Sequence, residues 1–320
     1  MSCITVYLKD PKIIVTLEDD TIRLDKENCP FKRIPLRMIE RVVVEGKPLI
    51  SSDVWRALVK FNIPAVIIPI RGKGDVVYLD NGLNSKGITE RIAQHKAYNN
   101  YSCLIKIARW LLDEKLKGQI SVIQMLNYDK LEIFIRQMNE YRNKIKYEND
   151  HGSLMGYEGA AASYYFQALA ELIDDKWNFN GRNRRPPKDP VNALMSLGYV
   201  MAGSEVRGIL QKKGLDPAIG FLHAAKPYRD NFVLDIIEPV RPVVDKFILN
   251  LINNNFTVKD FSFSSKDGCR LNRIGRGIFY SKWSDWQHSD EYTPLKSYIK
   301  DIITTILSFF PSSNENLQNV

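Results

Sequence analysis

The chain has 320 residues, of which 44% are hydrophobic and 26% are charged. This length allows one large domain or two ordinary ones, and the composition is that of a soluble globular protein rather than a disordered one. No apolar run approaches the ~18–20 residues that span a bilayer, and the first residues indicate a strand rather than an export signal. We therefore expect a cytoplasmic protein with no membrane partner.

The formal net charge is +8. This mild basic excess is compatible with binding to polyanions such as nucleic acids, although many housekeeping proteins share it. The four cysteines, Cys3, Cys29, Cys103 and Cys269, lie far apart and form no CxxC pair. The sequence therefore indicates neither a zinc site nor a disulfide framework, and we expect reduced thiols.

Short runs of β-branched residues, separated by Asp-Asp, Gly and Pro, predict strands at the start of the chain. The runs are Ile13–Leu17, Arg41–Glu45, Ala65–Ile70 and Val76–Leu79. Between the second and third runs, Ser51-Ser52-Asp53 is typical of a helix start and predicts a short helix through Phe61. Residues 1–80 are therefore predicted to form a small β-rich domain.

Residues 81–89 break every periodicity and predict a linker. Beyond them the apolar residues follow helical spacing. Asp189 with Pro190 predicts one helix start, and Thr293 with Pro294 predicts another near the end. We therefore predict an α+β multidomain protein, in which the β-rich domain precedes a larger all-α domain over residues 90–310. Residues 311–320 are polar and are expected to form a loose tail.

Glu158 is the first candidate for a chemical role. It is followed by glycine and alanines and then by aromatic residues, so another molecule could approach a helix closely at this acid. An isolated glutamate of this kind is, however, nearly always a solvated surface residue.

Two further segments carry possible ligands. His223 follows an apolar triplet, and such a histidine is more often a hydrogen-bonded core residue than a ligand. Asp235 and Glu238 are three residues apart, which places both carboxylates on one face of a helix. Alternatively, Glu238 before Pro239 caps a helix, or the two acids form an ion-pair cluster with Arg241.

Together, Glu158, His223 and Glu238 offer two carboxylates and one imidazole, and Asp235 adds a carboxylate close by. This donor set suits Mg²⁺ or Mn²⁺, and the imidazole favours Mn²⁺ because Mg²⁺ prefers oxygen ligands. A metal ion held there could polarise a phosphodiester oxygen and orient a water molecule or a 3′-hydroxyl for in-line attack.

Cationic residues are concentrated in two segments that predict DNA contacts. The first is a proline-stiffened loop that is typical of a preorganised phosphate clamp. The second lies between residues 266 and 282 and interleaves cations with aromatic residues. Any solvated basic loop would look partly the same. The candidate DNA-binding residues are Arg182, Arg184, Arg185, Lys188, Arg241, Arg270, Arg273 and Arg276.

Four segments, read in order, resemble the motifs of CRISPR-associated protein one, a family of integrases and endonucleases that insert new spacers into CRISPR arrays. They span residues 156–166, 184–194, 214–223 and 234–242. Four motifs in the family's order make this resemblance highly specific. It is weaker outside them, where Arg91 and Gln94 fit the family's early helix and Lys115 and Gln119 fit its next motif. Ser163 stands where the family often has arginine.

The resemblance implies that Glu158, His223 and Glu238 are the catalytic metal ligands and that Asp235 supports them. It also implies a β-rich N-terminal domain, an all-helical catalytic domain and a homodimer formed largely through the N-terminal parts. The implied partners are double-stranded DNA fragments, the CRISPR repeat and the small CRISPR-associated protein two.

Three kinds of function remain open. The leading hypothesis is an integrase that joins the 3′-hydroxyl of a DNA fragment to a repeat boundary by transesterification. The same site could instead serve a stand-alone metal-dependent DNA nuclease or a transposon-type integrase. The third is a DNA-binding scaffold with an inactive site, against which the complete set of candidate ligands argues.

Overall fold

The computed structural model describes residues 4–61, 63–69, 76–79, 87–125, 129–183, 186–223, 229–265, 267–289 and 294–311. The chain divides into two compact units, Met1–Asn84 and Ser85–Val320. Strands dominate the first unit and helices the second, which confirms the predicted fold class. Most of the predicted linker lies outside the described residues. Residues 87–89 at its end are described, and a helix already begins at Ile88.

The described residues of the first unit form two four-stranded sheets and one α-helix. The strands are β1 (Ile4–Leu8), β2 (Ile13–Glu18), β3 (Thr21–Lys26), β4 (Cys29–Pro35), β5 (Ile39–Glu45), β6 (Leu49–Ile50), β7 (Ala65–Ile68) and β8 (Val77–Leu79), and helix α1 (Ser52–Lys60) follows β6. One sheet has the order β1-β5-β7-β8, in which only β7 and β8 pair antiparallel. Strand β5 is buried almost throughout, as expected for an apolar strand with neighbours on both sides.

The other sheet has the order β4-β3-β2-β6. Strands β2, β3 and β4 form an antiparallel meander, whereas β6 runs parallel to β2. The two tight turns of the meander contain Asp19 (φ 51°) and Asn28 (φ 60°), residue types that tolerate a left-handed conformation. Fully buried Val15, Ile22 and Leu58 belong to the core of this unit.

Where the second unit is described, it consists of helices and one short hairpin. Its elements are α2 (Ile88–Asn99), α3 (Tyr101–Gln124), α4 (Glu132–Tyr147), α5 (His151–Leu172), α6 (Pro190–Lys212), α7 (Asn231–Asn254), β9 (Phe261–Ser264), β10 (Gly268–Leu271), α8 (Arg273–Gln287) and α9 (Leu295–Leu307). Strands β9 and β10 pair antiparallel. This hairpin was not predicted from the sequence, which showed only helical spacing in this half.

Several helices begin at side chains that accept a hydrogen bond from the first turn. Asn100 caps α3, Asp150 caps α5, and Asp189 caps α6 by accepting from the backbone N–H of Asn192. Pro190 follows Asp189 as the first helical residue, as predicted, because its missing N–H has no partner at that position anyway. These local signals fix where α3 and α5 begin, two of the three helices that carry the candidate site.

Helix α7 packs against α3 and α6 and carries two of the candidate site residues. Pro239 and Pro242 lie inside it and lack the N–H groups that would bond to the carbonyls of Asp235 and Glu238. The interpretation of Glu238 as a helix cap is therefore wrong, because this residue lies in the middle of the helix. Helix α3 approaches closely here: a Cβ atom at Gly118 would lie 3.0 Å from the Pro242 side chain.

The end of the described chain is helical. Helix α9 begins at Leu295, directly after Pro294, and the predicted cap Thr293 lies outside the described residues. So do residues 312–320, which make up most of the predicted tail. In the described parts of the chain, no helix combines the length and the apolar character needed to cross a membrane.

Candidate active site

Three helices bring one lysine and two glutamates together. The Lys115 ammonium of α3 donates to the Glu158 carboxylate of α5 and, at 2.6 Å, to Oε2 of Glu238 on α7. The side chains of Lys115 and Glu238 are only 3% and 4% exposed, and that of Glu158 is 18% exposed. Two acids that are 80 residues apart in the sequence therefore converge on one cationic centre.

Asp235 holds the segment before His223 against α7. Its fully buried carboxylate accepts hydrogen bonds from the backbone N–H groups of Phe221, Leu222 and His223. Gly220 allows this close approach, because a Cβ atom there would lie 2.8 Å from the backbone carbonyl carbon of Asn231. Asp235 is thus the support for the segment that carries His223.

The same carboxylate orients the imidazole. His223 Nδ1 lies 2.7 Å from Asp235 Oδ1, and Nε2 lies 3.8 Å from Oε1 of Glu238. When Nδ1–H donates to Asp235, the lone pair of Nε2 faces the two-glutamate cluster. The alternative of a hydrogen-bonded core histidine explains the Nδ1 contact but not the direction of Nε2.

Arg241 lies behind Glu238, with Nη1 at 2.9 Å from Oε1 and 3.1 Å from Oε2. Burial by itself raises the pKa of the Glu238 carboxyl, but the charges of Arg241 and Lys115 outweigh it and lower that pKa to about 2. Glu238 is therefore ionised at any ordinary pH. The side chain of Arg241, which the sequence also predicts to contact DNA, is 14% exposed and paired with Glu238.

The residue types of this cluster suit a divalent ion, although Lys115 contacts both carboxylates at the position that an ion would take. Across the described residues, no group of three or more His, Cys, Asp or Glu side chains is arranged so that it could hold a metal ion as it stands. The reason is geometric, because Lys115 stands between Glu158 and Glu238. Two carboxylates that already converge on a positive charge, with an imidazole nitrogen facing them, are nevertheless the ligand types that Mg²⁺ and Mn²⁺ take.

The predicted basic loop is only partly described, because Arg184 and Arg185 lie outside the described residues. Arg182 is half-buried and bonds to Asn192 Oδ1 at 2.6 Å and to Ser196 Oγ at 3.1 Å, so it braces the loop against α6. Lys188 is exposed, as a phosphate contact must be.

The second basic segment lies on the hairpin and on α8. Arg273 is exposed, while Arg270 bonds to Asp267 and Arg276 bonds to the Leu271 carbonyl. The backbone N–H of Cys269 donates to the carbonyl of Pro187 at 2.7 Å. Strand β10 therefore joins the two basic segments, which the sequence could show only as separate runs.

Two further contributors to the site carry no local sequence signal. Lys115 was identified only through the family resemblance, because nothing local distinguishes a buried lysine from a surface one. His151, at the start of α5, bonds through Nε2 to the Leu222 carbonyl at 2.8 Å and so fixes the segment before His223. No sequence signal pointed to this contact, which joins residues 71 positions apart.

The chain is similar to known proteins in both sequence and fold. The sequence profile of CRISPR associated protein Cas1 matches residues 6–285. The CRISPR-associated endonuclease Cas1 3 of Thermus thermophilus is 34% identical over 285 residues, which cover 87% of this chain and 83% of that protein. The solved structure of a Cas1 protein from Thermotoga maritima is 26% identical, has a TM-score of 0.84 and covers 97% of this chain and 99% of its own.

Two more distant structures share the fold. A casposase bound to integration product has a TM-score of 0.81 at 19% identity, covering 97% of this chain and 90% of its own. A chain of a Cas6-RT-Cas1–Cas2 complex has a TM-score of 0.82 at 21% identity, covering 96% of this chain and 35% of its own. The profile match spans most of the chain, including all four motif segments and the residues that surround Lys115. The chain belongs to the Cas1 family of CRISPR-associated proteins.

Proposed function

We propose that this protein is a metal-dependent DNA integrase and endonuclease that inserts new spacers into a CRISPR array. The observation that carries the proposal is the convergence of Glu158 and Glu238 on Lys115, with His223 Nε2 3.8 Å from Glu238, in a Cas1 family member. The Thermus relative is described as an endonuclease, and the casposase of the same fold was solved with an integration product. Both support DNA strand chemistry for this site.

The metal would be Mg²⁺ or Mn²⁺, held by Glu158, His223 and Glu238 with Asp235 in support. When bound, such an ion would act as a Lewis acid on a phosphodiester oxygen. Arg241 fixes one side of Glu238, and Asp235 fixes the imidazole, so both ligands are oriented in advance. The burial of Glu238 and Lys115 keeps water away from the inner part of the site.

The proposed reaction conserves the number of phosphodiester bonds. The 3′-hydroxyl oxygen of a DNA fragment forms a bond to a phosphorus atom of the repeat, and the bond from that phosphorus to the 3′-oxygen of the repeat strand breaks. The leaving oxygen takes up the proton that the attacking hydroxyl gives up. If water attacks instead, the product is a nicked strand, which is the nuclease alternative.

The partners proposed are DNA fragments, the CRISPR repeat, a second copy of this chain and Cas2, all in the cytoplasm. Support for DNA comes from exposed Lys188 and Arg273, and from the hairpin contact that joins their segments. The complex of Cas1 with Cas2 that contains the same fold supports the Cas2 partner. Helix α7, which carries part of the polar site, also packs against several other helices. A well-packed element suits a site that must keep its geometry when DNA binds.

The test is strand joining by purified protein in Mn²⁺, with Cas2, a fragment with free 3′-hydroxyls and a repeat-containing plasmid. Glu158→Ala, His223→Ala and Glu238→Ala should each abolish joining and cleavage while DNA affinity stays close to wild type, because phosphate contacts come from the basic segments. Lys188→Ala is the matched control, because it should weaken DNA binding without removing the chemistry.

The products separate the alternatives. Joined strands at a repeat boundary support the integrase, nicked strands alone support the nuclease, and joining at a target unrelated to the repeat supports the transposon-type integrase. Near-normal joining by any one of the three alanine variants would show that the residue is not a ligand.

A further inference from the structure

Tyr199 on α6 contacts two arginines that the sequence placed in different motifs. The Arg182 guanidinium carbon lies 5.4 Å from the centre of the tyrosine ring, and that of Arg241 lies 5.2 Å from it. Both distances are within the range in which a guanidinium is attracted to an aromatic ring. One side chain thus contacts both an arginine of the basic loop and the arginine behind Glu238.

The tyrosine is itself held in place from the other end. Its hydroxyl donates to Oδ1 of Asp245 on α7, and the buried Asp245 carboxylate accepts a second hydrogen bond, at 2.9 Å, from Tyr165 on α5. The ring is therefore fixed between α6 and α7 by a polar contact that does not involve either arginine.

Arg241 depends on this ring more than an exposed arginine would. Its side chain is 14% exposed and bonds to Glu238, but its buried Nε atom has no hydrogen-bond partner among the described residues. The position of the guanidinium is thus set by Glu238 on one side and by the Tyr199 ring on another. Without the ring, the arginine and the carboxylate it holds could take other positions.

Arg182 connects the Tyr199 ring to the basic loop. It bonds to Asn192 and Ser196 of α6, and Asn192 in turn bonds to Gly181 and Asp189 at the two ends of the basic segment. A displacement of the basic loop can therefore move the Tyr199 ring through the Arg182 side chain.

We propose that Tyr199 is a positioning residue that holds Arg241 against Glu238 and links this pair, through Arg182, to the basic loop. The proposal rests on the proposed function in one respect, since it takes Glu238 to be a metal ligand. Residues that orient a metal ligand contribute to metal affinity even though they never touch the ion. Because coupling is reciprocal, a phosphate bound at the loop and a metal bound at Glu238 would change each other's affinity by the same factor through this chain of contacts.

The experiment measures Mn²⁺ affinity of the full-length protein without DNA, by electron paramagnetic resonance of the free ion. Tyr199→Leu removes the ring and should raise the Mn²⁺ Kd about tenfold. Tyr199→Phe keeps the ring and loses only the hydroxyl, so it should restore Mn²⁺ affinity to within about threefold of wild type. A Phe variant as weak as the Leu variant would show that the ring contact is not what matters.

Tyr165→Leu is the matched control. It removes the other tyrosine that bonds to Asp245, at a fully buried position, and should lower the free energy of unfolding at least as much as Tyr199→Leu does. Its Mn²⁺ Kd should nevertheless stay near wild type. Equal losses of Mn²⁺ affinity in the two Leu variants would mean that general loosening of the fold is responsible, and the proposal would fail.

Two further variants complete the design. Glu238→Gln should abolish Mn²⁺ binding, and if it does not, the proposed metal site fails. If Glu238→Gln loses Mn²⁺ binding but Tyr199→Leu keeps it, only the role of Tyr199 is overturned. Should Tyr199→Leu not fold, Arg182→Lys replaces it. Lysine lacks the planar guanidinium that contacts the Tyr199 ring, so the Mn²⁺ Kd should rise about threefold. An unchanged Kd would refute the link between the loop and the metal site.

Discussion

The two glutamates of the site differ in how much buried charge each one neutralises. Glu238 pairs with both Lys115 and Arg241 and is almost fully buried, whereas Glu158 pairs with Lys115 and is partly exposed. Removing one partner of a buried ion pair leaves an uncompensated charge, which costs about 3 kcal/mol or more. We therefore expect Glu238→Ala to lower the free energy of unfolding by about 3 kcal/mol, and Glu158→Ala by only about 1 kcal/mol.

Urea unfolding at neutral pH without divalent ions measures both values. Glu238→Gln is a suitable comparison, because the amide keeps the shape and one acceptor oxygen while removing the charge. If both alanine variants lose the same stability, Lys115 does not depend on Glu238 in the way that the contacts indicate.

Asp245 makes the stability of this protein depend on pH. Burial raises the pKa of its carboxyl to about 6, and the hydrogen bonds from Tyr199 and Tyr165 and the charges of Arg182 and Arg241 offset this only in part. A carboxyl with a raised pKa binds its proton more tightly in the folded state than in the unfolded chain. Its contribution to the free energy of unfolding is therefore present below about pH 4 and is lost as the pH rises to about 6, by about 3 kcal/mol in total.

Asp245→Asn removes this titration while keeping the shape of the side chain. The stability of wild type relative to the variant should fall by about 3 kcal/mol between pH 4 and pH 7, measured by urea unfolding at each pH. Asp53→Asn, at an exposed carboxylate, corrects for the general effect of the substitution. A constant difference across this pH range would contradict the raised pKa.

At the scale of elements, local signals were predictable and long-range contacts were not. The start of α6 at Asp189 and Pro190 was predicted because a cap and a proline act on their own first turn. Helix α7 continues through Pro239 and Pro242 because packing against α3 and α6 outweighs two lost hydrogen bonds, and packing leaves no local signal. Motifs in the sequence named Glu158, His223 and Glu238 as candidate ligands, but no local signal placed Lys115 between the two glutamates, since that contact exists only when three helices meet.

The hairpin β9–β10 is the element that holds the basic loop, and Gly268 is where the two meet. Gly268 has φ +71°, and a Cβ atom there would lie 2.7 Å from Pro186 Cβ and closer still to the Pro187 carbonyl oxygen. Gly268→Ala should therefore lower the free energy of unfolding by about 1–3 kcal/mol and displace the loop. We expect DNA affinity to fall about tenfold, which filter binding would show.

Gly156→Ala is the matched control on α5. Among the described residues, apart from the adjoining residues and backbone of α5 itself, no atom lies within 4 Å of a Cβ atom at Gly156, so alanine meets no obstacle there. Because glycine is unfavourable inside a helix, this variant should be more stable by about 0.5–1 kcal/mol. A Gly268→Ala variant as stable as Gly156→Ala would mean that the hairpin does not hold the loop closely.

For the whole molecule, the net charge of +8 makes DNA binding dependent on salt. Neutralising Arg184 and Arg185 should weaken binding to every DNA sequence and reduce the slope of log K against log salt by up to ~2 units, about 0.9 for each lost phosphate contact. Binding measured from low to high salt tests this. An unchanged slope would make the loop a structural brace, a role that the contacts of Arg182 already show for its first part.

Integration joins two fragment ends to two points of one duplex, so it requires two active sites at a fixed separation. One chain carries one such site, and a two-fold dimer would provide two. The first unit is the part of the chain without candidate catalytic residues, and it has exposed apolar side chains. Ile14 and Leu49 are 46% and 66% exposed and lie opposite each other in the pairing of β2 with β6. Neighbouring exposed apolar residues of this kind are typical of protein interfaces.

We therefore expect a stable homodimer formed mainly through Met1–Asn84. Light scattering should show a dimer for the intact protein and a monomer for a protein that begins at Ser85. Truncation there keeps Gly87 (φ +79°), whose Cβ position would lie only 2.6 Å from the Gly214 Cα, so the start of α2 is preserved.

In the intact chain, Leu49→Glu should weaken the dimer at least tenfold, because a buried unpaired charge is costly at an interface. Ile88→Glu, at an exposed position on α2, should leave it unchanged. If the protein that begins at Ser85 is still a tight dimer, the helical unit holds the interface, and the two active sites are related through helices instead of strands.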